Sequence, residues 1–281
     1  MKIAGVVILY HPDNDVIENI NSYISDIDYL YIIDNTERRD DSNSINLNLL
    51  HSQKFKYVKF NENKGIAYAL NFVLANIKEF DMLLTMDQDS KFPPLMLEKY
   101  KYEVSLFNDC NVIMFTLNYN GDGNKIKKAS RLFSEVEKTI TSGSILLVEA
   151  AKKVGGFDEK LFIDEVDHEF CFRSREKGYR IIKCNNVYLS HRLGTPIYNK
   201  MLGFGSTNHS PVRKYYIVRN KIYVMKKYPA IRKEYLVFFV KAFISMIILE
   251  KNKMKKIKYI LLGVKDAFCN KMGKNNTKES G

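Results

Sequence analysis

The chain has 281 residues, 46% hydrophobic and 27% charged, which suits one or two globular domains with a sizeable core. Its four scattered cysteines, without a C-x-x-C pair, exclude a disulfide framework and a structural zinc site and fit a reducing compartment. Lys and Arg outnumber Asp and Glu by 44 to 32, and the excess gathers late. From residue 250 onward nine lysines (251, 253, 255, 256, 258, 265, 271, 274, 278) face three acids (250, 266, 279). That asymmetry implies a polyanionic partner, either an anionic membrane surface or nucleic acid. The plainer reading is a solvated, partly disordered tail, and it is preferred for 271–281.

Residues 3–10 form an apolar run too short for a secretory signal and without a small-residue cleavage site, so a first buried strand is expected. Asp13 then caps a helix to about residue 24. Residues 29–33 are a second strand ending at Asp34-Asn35, with a polar loop at 36–44. Residues 56–60 are a third strand. The stretch 65–77 is a helix with Ile66, Leu70, Val73, Leu74 and Ile77 on one stripe. The run 80–86 is a fourth strand, ending in Asp87-Gln88-Asp89. Strands alternating with helices predict an α/β fold with a mostly parallel sheet covered on both faces.

Past Pro93-Pro94 the pattern mixes, with strands predicted at 112–117, 140–148 and 180–188 and helices at 167–176, 211–227 and 234–249. The helix 211–227 carries Tyr215, Val218, Ile222 and Met225 on one stripe. The next carries Tyr235, Phe238, Phe239, Ala242, Phe243, Met246 and Ile247, first of all a core or dimer contact. Beside the lysines, that stripe can also rest on an anionic leaflet. No run reaches the ~20 apolar residues a bilayer span needs, so a cytosolic or peripheral protein is expected. The economical division is a catalytic domain at 1–205 and a helical, basic extension at 206–281.

Four polar elements fall at strand ends: Tyr10-His11-Pro12-Asp13, Asp34-Asn35, 61–65 (Asn-Glu-Asn-Lys-Gly) and Asp87-Gln88-Asp89. Singly each reads as a cap or turn. Jointly they occupy the sheet edge where open α/β folds bind ligands. An acid at the second strand end can bond a ribose or base, and a helix start near Gly65 offers backbone donors. Asp87 and Asp89 can hold a hard cation for a diphosphate. A nucleotide-diphosphate pocket is therefore expected. Downstream, Asp164, Glu165, Asp167 and Glu169 put four acids into six residues at a helix start, more than capping needs, so one of them is a candidate general base.

As an ordered series these motifs resemble the inverting nucleotide-sugar glycosyltransferases of family 2, with the GT-A fold, and most of all their rhamnosyltransferase-like branch. The likeness runs from residue 3 to about 228. It rests on Tyr10-His11-Pro12, Asp34-Asn35, 63–71 (Asn-Lys-Gly-Ile-Ala-Tyr-Ala-Leu-Asn), 86–90 (Met-Asp-Gln-Asp-Ser), Thr141-Ser142-Gly143 and Gly156-Phe157-Asp158. The strongest block is Phe162-Ile163-Asp164 with Val166-Asp167, Glu169, Arg173 and Lys177-Gly178-Tyr179, and His191-Arg192-Leu193-Gly194 and 213–220 continue it.

The resemblance implies a nucleotide side built from Tyr10, Asp34, Asn63, Gly65 and Asp87, with Arg219 steadying the diphosphate. It implies Mg²⁺ or Mn²⁺ on Asp89 with Asp87, and His191 as a further ligand. Asp167 is the implied base and Glu169 an acceptor-positioning residue, with Thr141, Gly143, Asp164 and Glu165 on the acceptor side. The family usually has Glu-Asp where this chain has Val166-Asp167, as its rhamnosyl branch does, which leaves Asp167, Glu169 and Glu165 open as the proton acceptor. His191 is equally a structural histidine, and for His209 the structural or acceptor-contact reading prevails.

The implied reaction moves one sugar per encounter, L-rhamnose from dTDP-L-rhamnose or a hexose from a UDP-sugar, onto a surface polysaccharide or lipid-linked oligosaccharide. The lack of Trp and of a Gln-x-x-Arg-Trp motif speaks against a processive synthase. A nucleotidyltransferase should show a Gly-rich basic loop after the first strand, and a nucleic-acid binder should interleave its positive charge with aromatics. Neither pattern is present, so no nucleic-acid partner is expected, while an oligomer remains compatible.

Overall fold

The computed structural model describes residues 1–37, 45–120, 129–191, 197–199 and 204–275, and leaves the side chains of 120, 191, 197–199 and 204 undescribed. The chain forms two compact units, one from Met1–Asp158 with Asp167–Arg192 and the other from Glu159–Val166 with Leu193–Gly281.

In the first unit β1 (Ile3–Leu9), β2 (Tyr29–Asp34), β3 (Phe55–Lys59) and β4 (Met82–Asp87) lie in the order β3-β2-β1-β4, all parallel. Their crossovers include α1 (Val16–Asn21) and α2 (Ile66–Asn76). β1 and β4 are buried almost end to end, which is why both read as unbroken apolar runs rather than alternating ones. The sheet continues past β4 through β8 (Ser144–Leu147), β6 (Val112–Asn120), β9 (Arg180–His191) and β5 (Ser90–Lys91), with β7 (Phe133–Glu135) also on β9. β8 runs antiparallel to both its neighbours, while β6 and β9 are parallel. The remaining helices of this unit are α3 (Met96–Leu106), α4 (Val148–Val154) and α5 (Val166–Glu176), whose first residue belongs to the second unit.

Several boundaries differ from expectation for local reasons. α1 begins after Asp15 rather than Asp13, because Asp13 bonds the Asp15 N–H and forms a turn instead of a helix cap. On α2 the buried positions include Ala67 and Ala69 but not Ile66, because small side chains let the helix sit close to the sheet. The strand expected at 140–148 shortens to β8. Residues 141–143 turn instead: Gly143 has φ +72°, and a Cβ there would come within 2.9 Å of Leu189.

In the second unit α6 (Pro211–Lys227), α7 (Arg232–Leu249) and α8 (Lys253–Phe268) accompany a small hairpin of β10 (Ile197–Asn199) and β11 (Phe204–Ser206). The sequence reading did not foresee α8, because lysines obscure its apolar period. It approaches α6 backbone to backbone at Gly263, where a Cβ would stand 2.7 Å from the Tyr215 carbonyl oxygen. Phe162, Tyr215, Tyr216 and Tyr259 make its aromatic core. Glu250 is buried and paired with Lys214 (2.8 Å) and Lys256 (2.6 Å), and the Ser206 hydroxyl donates to it as well. Buried charge is tolerable only when paired in this way. Of the lysine-rich end, Gly273 donates to the Lys160 carbonyl and Asn275 to the Tyr216 hydroxyl, while 276–281 lie outside the described residues.

The stripe expected on 235–247 is also corrected. Tyr235 and Met246 are buried, whereas Phe238, Phe243 and Ile247 are exposed. The buried arc of α7 lies elsewhere, because Tyr235 and Ser245 turn inward to make hydrogen bonds.

Candidate active site

Sheet register places the strand ends together. Leu9 pairs with Asp34, Ile8 with Asp87 and Asp34 with Lys59, so the polar residues that follow leave the same edge. A hydrogen-bond network then ties these loops. The Gln88 side chain accepts from the Tyr10 N–H (2.8 Å) and donates to its carbonyl (3.1 Å), fastening the end of β1 to the acidic turn. Asn19 donates to the Gln88 carbonyl. Asp34 is buried and accepts from the Thr36 N–H (3.0 Å) and the Tyr57 hydroxyl (2.6 Å), while Thr36 accepts from the His11 N–H. Asn35 donates to Asn63, whose side-chain oxygen also accepts from the Gly65 N–H at the start of α2. The structure thus brings Tyr10, Asp34, Asn63, Gly65 and Asp87 to one edge.

The acidic turn is supported from below. Asp87 donates its N–H to the Ser142 hydroxyl (3.2 Å), which donates to Ser90 (2.9 Å), and both serines are fully buried. The Thr85 hydroxyl donates to the Thr141 carbonyl, and the Gly143 N–H bonds the Thr85 carbonyl at 2.7 Å. Gly143 is therefore a buried packing residue, and Thr141 stays half-buried. Asp87 is half-buried and Asp89 exposed. Ser90, directly after Asp89, pairs with His191 across β5 and β9, but the His191 side chain lies outside the described residues, as do Arg192, Leu193 and Gly194.

Among the described residues no group of three or more His, Cys, Asp and Glu converges as a closed metal cage. The donor chemistry nevertheless fits Mg²⁺ or Mn²⁺. Such ions take hard oxygen ligands, and Mg²⁺ usually keeps waters and substrate phosphates beside one or two carboxylates. Asp87 and Asp89, flanking a turn braced by buried serines, supply that number.

The four clustered acids sort by partner. In the first unit Glu169 is fully buried, and both its oxygens accept from Arg173 (2.8–3.3 Å). Arg173 also donates to the Val154 and Gly156 carbonyls, so this pair anchors α5 to the Gly155–Gly156 turn. Asn71 holds the same turn through Phe157, donating to its carbonyl and accepting its N–H. Asp167 is half-buried in the first turn of α5, accepts the N–H of His168, and has no ion pair among the described residues. In the second unit Asp164 pairs with Arg213 at 3.2 Å. There Glu165 pairs with Lys221 at 2.5 Å and accepts from the Tyr235 hydroxyl. Asp164 and Glu165 both hold left-handed backbone, φ +62° and +66°, kept in place by Asn220 bonding the carbonyls of Ile163 and Asp164.

Tyr119 escaped the sequence reading. Its hydroxyl donates to the Ser142 carbonyl at 3.0 Å, and burial pushes its pKa up, with the charges of Asp167 and Asp87 adding to the rise. The acidic turn and the start of α5 therefore act on one phenol. The sequence signal was slight, an Asn-Tyr-Asn at the end of a strand.

Arg219 belongs to the second unit and is buried there. It donates to Asn220, to the Tyr215 hydroxyl and to the Gly273 carbonyl (2.8 Å), beside a cavity of about 460 Å³ that Lys265, Lys271 and Lys274 also line. His209 is held neutral: burial, then Arg213 and Lys214, lower its pKa from 6.5 to about 4.

A mixed sheet whose leading parallel half presents braced acids at its C-terminal edge, followed by a basic helical region, is the build of a GT-A-type glycosyltransferase. Residues 6–163 match glycosyl transferase family 2, and the chain belongs to that family. It is a glycosyltransferase, and it is similar to the dTDP-rhamnosyl transferase RfbF of Shigella flexneri, 27% identical over 295 residues that span 95% of each chain. Solved structures show the same fold at low identity. The mannosyltransferase PcManGT of Pyrobaculum calidifontis, in complex with GDP-Man and Mn²⁺, has a TM-score of 0.55 at 14% identity, over 95% of this chain and 75% of that one. GalNAc-T7 with UDP, GalNAc and Mn²⁺ scores 0.59 at 12% identity over 80% of this chain, which spans only 48% of that larger one.

Proposed function

We propose that the protein transfers one sugar, L-rhamnose from dTDP-L-rhamnose, to a hydroxyl of a growing surface polysaccharide or lipid-linked oligosaccharide, in a single inverting, metal-assisted displacement. The observation that carries the chemistry is Asp167, which has no ion pair among the described residues, while the three other acids of its cluster are each engaged by a cation. A general base needs a carboxylate lone pair that no cation already holds, and such a base contributes roughly 10²–10⁴-fold.

The acceptor oxygen attacks the anomeric carbon from the face opposite the diphosphate, and its proton passes to Asp167. The bond from the anomeric carbon to the diphosphate oxygen breaks, the nucleoside diphosphate leaves, and the configuration inverts. Asp89 with Asp87 would hold Mg²⁺ or Mn²⁺, which when bound would supply Lewis-acid stabilisation of the leaving diphosphate. Tyr10, Asp34, Asn63 and Gly65 form the nucleotide side. Glu169 serves through Arg173 by fixing the pitch of α5. Similarity to the Shigella dTDP-rhamnosyl transferase supports the donor. No described helix is long and apolar enough to cross a membrane, and a cytoplasmic protein peripheral to the membrane is the location proposed.

The test is a thermal-shift panel of dTDP-, UDP- and GDP-sugars with and without Mn²⁺ or Mg²⁺, on the wild type and on Asp89→Ala. Ligand at a hundredfold excess over Kd stabilises by about 2.7 kcal/mol. A shift confined to dTDP-rhamnose, needing metal and lost in the variant, is expected. A shift confined to UDP-sugars would replace the donor, and no shift with any nucleotide would overturn the reading.

A further inference from the structure

Helix α7 is apolar nearly all round and leaves a broad apolar arc exposed. Leu236, Val237, Val240, Phe243, Ile244, Ile247 and Ile248 are between 36% and 60% exposed. At 3.6 residues per turn these seven share one face, an arc of about 140°. The opposite side carries Tyr235 and Ser245, whose hydroxyls bond Glu165 and the Gly205 carbonyl, the buried Met246, and Phe238, which is 39% exposed and lies under the Lys221 ammonium. A surface helix normally turns its polar side outward, and one that is apolar outward marks a surface awaiting a partner.

Charge selects the partner. The second unit holds 20 Lys and Arg against 7 Asp and Glu, whereas the first holds 24 against 25, so the whole positive excess of the chain belongs to the unit that carries α7. A second copy docking through this unit would bring like charge to like charge. A nucleic acid would need cations interleaved with several aromatics on the contact face, whereas the arc has Lys233 at its N-terminal end, Lys241 at its edge and Phe243 as its one aromatic. A bilayer of anionic lipid satisfies both demands, because acyl chains accept the apolar stripe and headgroups attract the lysines.

We infer that the outward stripe of α7 lies in the headgroup boundary of an anionic membrane, with α7 parallel to the surface. This sharpens the peripheral location proposed above and is independent of the transfer chemistry. The test uses the full chain with vesicles of pure phosphatidylcholine, or of phosphatidylcholine and phosphatidylglycerol in equal parts.

The chain lacks tryptophan, so Val240→Trp makes a single reporter. Its emission should shift to the blue with anionic vesicles only, and less so as salt is raised. The double variant Val240→Asp with Ile244→Asp alters exposed positions, should keep the wild-type circular dichroism and melting temperature, and should weaken flotation by more than about tenfold. Three results would each overturn the inference: no blue shift with anionic vesicles, flotation unchanged in the folded double variant, or a wild-type dimer in sedimentation that the double variant dissolves. The last would assign the face to a second copy.

Discussion

Apart from Glu169, which Arg173 holds in the first unit, the two units use their acids differently. In the second unit Glu165 and Glu250 are buried and held by lysines and hydroxyls, which makes them part of the frame. In the first unit Asp167 stands half-exposed with no cation on it among the described residues, and Asp87 and Asp89 flank a turn at a sheet edge. Residue type is the same throughout. Partner and burial decide whether a carboxylate supports structure or remains able to bind a metal or a proton.

The comparison breaks first at Asp167. Asp167→Asn should lower kcat by roughly 10²–10⁴-fold while leaving the melting temperature unchanged, since no ion pair is lost. Single-turnover kinetics beside thermal melts check this, and near-normal turnover would remove Asp167 as base. Glu250→Ala should do the reverse, keeping the site chemistry while leaving Lys214 and Lys256 buried without their acid. Breaking a buried pair in this way costs about 3–5 kcal/mol, measurable by urea unfolding. A loss under ~1 kcal/mol would mean that the triad is solvated like surface pairs.

Asp89→Ala should cancel only the metal-dependent part of nucleotide stabilisation, about 2.7 kcal/mol at hundredfold excess, as thermal shift will show. The smallest effect is the pH response of His209. Its folded pKa is lowered from 6.5 to about 4, so the unfolded chain binds more protons between those values. The stability His209 contributes is therefore complete above pH 6.5 and is lost as pH falls toward 4. Burial alone would raise the pKa of Glu250, but its bonds to Lys214, Lys256 and Ser206 outweigh that and lower it, so Glu250 adds acid sensitivity below its ordinary 4.5. Melting temperature followed from pH 7 to 4 should fall less steeply in His209→Gln than in the wild type.

Much of the site was legible because it follows strand ends. Apolar runs of the right length gave β1, β2 and β4, and the polar residues after each run had to leave the same edge of a parallel sheet. The pairing of Glu169 with Arg173 was within reach as an i,i+4 acid–base pair, yet the four acids looked equivalent until their partners were known. Arg213, Lys221 and Tyr235 lie 49 to 70 residues along the chain from the acids they hold, and no local pattern announces them. Tyr119 was hidden for the same reason, since its meaning comes from Ser142 and Asp167 on other elements.

By itself the sequence determined the α/β class, the ordered motifs of family 2, the acids at the strand ends and the basic end of the chain. These depend on periodicity, spacing and composition, which are local quantities. Tertiary structure alone decided which of four neighbouring acids has no ion pair among the described residues, that a lysine-rich end is a packed helix, and which face of α7 looks outward. Those depend on long-range packing: a helix that is apolar all round carries almost no directional signal, and only its neighbours choose the side it buries.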